Sequence, residues 1–169
     1  MLLTGLCFAC NPSEPIAQSA VGNTNLAANF KGDGTAFYTV DARSGQLSYM
    51  LDYGEEAGAW KRFGNPYRKG ANGGLYLDAS ERLGNGTSFY LLDKSTGQLN
   101  YMLDYGPGAG TWTSFGNPIG TKNVSDFEAN LSAAGTIFYA YDGIAKKLYF
   151  MRDFGEQAGQ WIQYGEDKN

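Results

Sequence analysis

An all-β fold made of three successive repeats is what this sequence predicts, and three observations carry the prediction. Residues 34–66 and 86–118 agree at 21 of 33 positions with no gap, and residues 135–165 carry the pattern again. Within each repeat, apolar and polar residues alternate with a period of two, the signature of a half-buried strand. The 24 glycines and 12 tyrosines suit many turns between strands with aromatic faces, and no segment carries a helical stripe.

The elements follow in order. Leu26 to Phe30 reads as a weak first strand, echoed at Leu77 to Leu83 and at Phe127 to Leu131. Thr35 to Val40 is rich in β-branched and aromatic residues and reads as the second. Asp41-Ala42-Arg43-Ser44-Gly45 follows as a turn, with Asp initiating it and Gly supplying positive φ. Gln46 to Tyr53 then places Leu47, Tyr49, Leu51 and Tyr53 on one face and Ser48, Met50 and Asp52 on the other. A loop from Gly54 to Gly58 leads to a short strand around Trp60 and Phe63. About four strands per repeat make about twelve in all. The third repeat has drifted: Lys146 stands where the others have Gly45 and Gly97, and Glu166-Asp167 replaces Asn65-Pro66.

Repeats of about 50 residues, at 25–67, 76–119 and 126–167, fill a single β domain over residues 21–169. Three four-stranded units favour closure about a pseudo-threefold axis, as in a β-trefoil or β-prism. The alternative is three propeller-type blades completed by dimerisation, because propellers typically need four to eight blades. The segment GTAFYTVDARSGQL, with its Asp-x-x-x-Gly turn, resembles the hairpin of quinoprotein-type propeller blades. That resemblance covers one hairpin and implies blades.

Residues 1–20 read as a leader and tether. Met1 to Cys10 is almost wholly apolar, too short to span a bilayer, and is followed by helix-breaking Asn11-Pro12. This fits the apolar centre of a secretory signal. Cys10 after Ala9 resembles the end of a bacterial lipoprotein signal, which implies lipidation at Cys10, although Cys7 stands where leucine is usual. Cleavage after Ser19 or Ala20 is the alternative. The expected location is therefore secreted, periplasmic or cell-surface.

Composition excludes several chemistries. With no histidine, Ser-His-Asp and Cys-His catalysis are closed and the commonest zinc ligand is missing. Cys7-x-x-Cys10 has no second pair to complete a zinc site. A net charge of −4 gives no footprint for nucleic acid, and Lys61, Arg62, Arg68 and Lys69 read as a solvated edge. No residue pair implies a cofactor.

The candidate binding residues recur once per repeat. Asp52, Asp104 and Asp153 lie within strand patterns, where Asp is unfavourable without a role. One role is structural, accepting backbone N–H groups of the following glycine loop. The other is recognition of ligand hydroxyls. Trp60, Trp112 and Trp161 each follow Ala-Gly-x and read either as core plugs or as stacking platforms for the C–H face of a sugar. Asp52, Tyr53 and Trp60 would form one site, Asp104, Tyr105 and Trp112 a second, and Asp153 with Trp161 a third. Repetition in similar surroundings argues against the unlike carboxylate pair of a glycosidase. Asp41, Asp93 and Asp142 read as turn initiators. The sequence thus points to a non-catalytic, lectin-like binding module, monomeric or homodimeric, touching a membrane only through a lipid anchor. The alternative is a structural or protein-interaction lipoprotein, or an inhibitor of another surface protein, with no small-molecule ligand.

Overall fold

The computed structural model describes residues 26–68, 74–82 and 86–165; the leader and tether, with Cys7 and Cys10, lie outside the described residues, as do Lys69 and Glu166-Asp167. Among the described residues there are twelve strands and no helix. The first sheet is β1 (Leu26–Phe30), β2 (Thr35–Val40), β3 (Leu47–Leu51) and β4 (Lys61–Phe63). The second is β5 (Leu75–Arg82), β6 (Gly86–Asp93), β7 (Gln98–Leu103) and β8 (Thr113–Phe115). The third is β9 (Val124–Ser132), β10 (Gly135–Asp142), β11 (Lys147–Arg152) and β12 (Ile162–Tyr164). Each is an antiparallel meander whose strands pair in chain order.

The turns between second and third strands form as their chemistry dictates. The Asp41 carboxylate accepts the Ser44 N–H at 2.6 Å, the Ser44 hydroxyl at 2.8 Å and the Arg43 N–H at 3.0 Å. Asp93 takes Ser95 N–H and Oγ, and Asp142 takes the N–H groups of Ile144 and Ala145. Bonds from Ser44 hold the Asp41 carboxyl below its usual range, and the Thr121 hydroxyl does the same for Asp142. Gly45 and Gly97 close two of these turns at φ 70° and 72°. The backbone of Tyr67 crosses Gly45 and that of Ile119 crosses Gly97, so a Cβ would lie 1.9 Å and 2.6 Å from their respective carbonyl oxygens. In the third repeat Lys146 holds φ 58°. The residues corresponding to Tyr67 and Ile119 there fall beyond the described chain.

The third strands stop sooner than the alternation suggests, β3 at Leu51 and not at Tyr53. Asp52 turns its carboxylate back across the hairpin and accepts the N–H of Thr35 at 2.6 Å. The same clasp joins Asp104 to Thr87 and Asp153 to Thr136, each at 2.7 Å. Gly34, Gly86 and Gly135 leave room for it, since a Cβ at each would stand within 2.3 Å of that carboxylate oxygen. This explains the Gly-Thr pair that opens each repeated segment. The aspartates bind the start of their own hairpin.

The sheets stack in series. One core joins the first two: Tyr38, Val40 and Leu47 meet Leu77, Phe89, Leu91 and Met102. A second joins the second and third: Tyr90, Leu92 and Leu99 meet Phe127, Phe138, Ala140 and Met151. Neither core draws on the first and third sheets together. The first strands lie side by side, β1 beside β5 and β5 beside β9.

At the second of these junctions Asp78 of β5 accepts the Ala129 N–H of β9 at 2.6 Å, together with the Ala79 N–H at 2.7 Å. Burial raises its carboxyl above the usual range despite these bonds, and nearby Glu128 adds to the rise. The folded chain therefore holds this proton more tightly than the unfolded chain. Its contribution is fully present below the unfolded pKa and is lost as pH rises through the folded value. Asp78→Asn removes the charge and keeps one of the two acceptor oxygens. It is expected to reduce the loss of stability as pH rises above about 4, measured as urea midpoints along the rise; an unchanged pH profile would remove Asp78 as its source.

Candidate functional site

Serial stacking places the tyrosine row of one sheet against the aspartate face of the next. Between the second and third sheets this leaves a crevice of about 260 Å³. Tyr90, Tyr101 and Tyr105 line it from the second sheet, with Ser88, Leu99, Leu103 and Phe115; Phe138 and Asp153 close it from the third. Alternation along β7 turns Leu99, Tyr101 and Leu103 toward the third sheet, while Met102 packs toward the first. The site is therefore built from two repeats. Tyr105 and Asp153, from different repeats, line the same crevice, while Tyr105 and Asp104 both lie against Gly86.

Ser88 is 1% exposed, and its Oγ has no hydrogen-bond partner among the described residues. A buried hydroxyl without a partner is costly, so it stands ready to bond whatever enters. The corresponding residue in the first repeat is Ala36, which is buried, and in the third Ile137. Behind the crevice, the Tyr90 hydroxyl lies 3.0 Å from Thr136 Oγ1, and its ring meets Phe138 edge-on at 4.9 Å. Asp153 is anchored through Thr136 N–H, so its carboxylate is held in place at the crevice wall.

The other candidate residues are distributed by the same stacking. Asp104 lies at the junction of the first and second sheets, where its charge acts on the Tyr38 hydroxyl. Trp112 packs in that junction, edge-on to Tyr67 at 6.1 Å, and Trp161 packs in the next. Both indole Nε1 atoms are buried without a partner among the described residues. Trp60 and Asp52 lie on the first sheet, whose outer side has no neighbour among the described residues, and Trp60 is 39% exposed.

The first junction holds a buried polar network. The Tyr67 hydroxyl donates to Asp93 at 3.1 Å and accepts from Asn100 Nδ2 at 3.2 Å, while Ser114 Oγ donates to Asn100 Oδ1 at 2.9 Å. Burial, reinforced by the Asp93 charge, raises the Tyr67 hydroxyl far above its usual range, which keeps it protonated as that donor. Ser88 escaped the sequence reading because one serine within a strand pattern is unremarkable. The available signal was its alignment with Ala36 and Ile137, a hydroxyl where the other repeats are apolar. Asp78 carried a similar signal against Ala27. Comparison with protein families, with curated proteins and with solved structures finds no match for this chain.

Proposed function

We propose that the chain is a non-catalytic binding module whose three sheets act as propeller-type blades, and that the crevice between the second and third takes a saccharide. The observation that carries the reading is Ser88: a buried, unpartnered hydroxyl set among three tyrosine rings and one anchored carboxylate. Sugars offer apolar C–H faces to aromatic rings and hydroxyls to carboxylate and serine oxygens, and a pocket of this size suits one or two rings. The blade reading is favoured over a trefoil or prism by the two separate cores, since a threefold body would share one. Export and lipid anchoring at Cys10 would place such a module at a cell surface, and they stand or fall separately from the crevice.

The test is ligand-observed NMR with a panel of methyl hexosides and their short oligomers. Tyr105→Ala and Ser88→Ala are compared with the unaltered chain. The expected result is a saccharide that binds the unaltered chain and is weakened about tenfold or more by either change, with the far-UV spectrum preserved. No binder in the panel, or binding that ignores both changes, would overturn the reading.

A further inference from the structure

The two junctions between sheets use one set of contacts. Tyr38 meets Phe89 edge-on at 4.9 Å, and Tyr90 meets Phe138 edge-on at 4.9 Å. The same tyrosine hydroxyls reach Thr87 Oγ1 at 3.5 Å and Thr136 Oγ1 at 3.0 Å. Asn65 N–H donates to the Gly110 carbonyl at 2.6 Å, and Asn117 N–H to the Gly159 carbonyl at 2.7 Å. Gly64 and Gly116 sit against the sulfurs of Met102 and Met151. A leading face thus supplies tyrosine, and a receiving face supplies threonine, phenylalanine, methionine and a glycine carbonyl.

Among the described residues, each half of this joint is left over once. The third sheet carries the leading tyrosine as Tyr139, beside Leu148 and Phe150, all half-buried. The first sheet carries the receiving set as Thr35, Phe37, Met50 and Gly58, none of them buried. Leu26 is 62% exposed, whereas its counterparts Leu77 and Phe127 are 5% and 8% exposed. One substitution fits these two faces to each other. Arg152, exposed on the third sheet, replaces the leucine found at 51 and 103. In the crevice, Leu103 lines the second-sheet side and Asp153 the third-sheet side. The same placement would set Arg152 against Asp52 on the receiving face.

We infer that a second copy of this chain covers both free faces, third sheet to first sheet at each of two identical junctions, closing a ring of six sheets. The contact is continuous with the joints already made inside the chain, and Arg152 facing Asp52 of the second copy gives it matched charge. Two copies about a twofold axis close the set with no face left over. Six blades also fall within the usual range for propellers. The inference rests on the blade reading and not on what the crevice binds.

Light scattering and sedimentation of the full chain from about 1 to 100 μM measure it. The expected particle has twice the 18.3 kDa chain mass. Tyr139→Lys is expected to weaken the dimer about 100-fold or more, and Arg152→Glu about tenfold, both with an unaltered far-UV spectrum. Arg152 is exposed, so its variant remains informative if Tyr139→Lys fails to fold. A monomer throughout, a dimer indifferent to both changes, or an open polymer would each overturn the ring. Saccharide binding in the crevice would survive any of these outcomes, which separates the two readings.

Discussion

Phe138→Ala is expected to lower unfolding stability by about 3–5 kcal/mol, a large share of the roughly 5–15 kcal/mol typical of a domain. Phe138 is buried where three aromatic neighbours converge: Tyr90 edge-on at 4.9 Å, Phe115 tilted at 6.3 Å and Phe127 stacked at 6.4 Å. The rings belong to two different sheets, so truncation opens a cavity in their junction that neither sheet can fill alone. Urea denaturation measures the loss. Ile144→Ala, at a side chain 76% exposed, is the control and is expected to change little. A Phe138 variant as mild as the control would mean that the second and third sheets do not share a packed core.

Gly45→Ala is expected to cost more than about 3 kcal/mol for a different reason. At φ 70° an alanine bears the left-handed backbone penalty of about 1–2 kcal/mol. Its Cβ would also overlap the Tyr67 carbonyl at 1.9 Å, forcing the crossing segment away. That segment carries the 2.9 Å bond from Tyr67 N–H to the Gly45 carbonyl, the Tyr67 bond to Asp93 and the contact with Trp112. Gly54→Ala separates the two costs, because Gly54 has φ 79° with nothing within 4 Å of a Cβ. The Gly45 variant should be the less stable by at least about 1 kcal/mol and should alter the near-UV signal of Trp112. Equal losses would show that the crossing segment is not held against the turn.

The strands themselves were legible because alternation and turn chemistry are local. Thr35 to Val40 and the Asp41 turn stand where their residue types put them. The bounds of β5 and β9 were less so: they begin at Leu75 and Val124, two and three residues before the apolar pattern becomes clear. The site was legible only in part. Tyr105 and Asp153 both stood out, but a period-two pattern says which face a residue takes and not which sheet that face meets. The repeated aspartates illustrate the same limit, since their clasp on Thr35, Thr87 and Thr136 spans 17 residues and has no local signature.

Among the described residues every strand pairs only with strands of its own meander, so no ladder of backbone hydrogen bonds crosses from one sheet to another. For an all-β protein this keeps the sequence separation of paired strands short, which lowers the contact order on which folding rate depends. Each meander can zip up, with its aspartate clasp setting the hairpin, before side chains from separate sheets interlock. The sheets are thereby joined by side-chain packing and by isolated backbone bonds such as Asn65 N–H to the Gly110 carbonyl. Duplicating or deleting one unit would change the length of the stack without leaving a cut hydrogen-bond ladder behind.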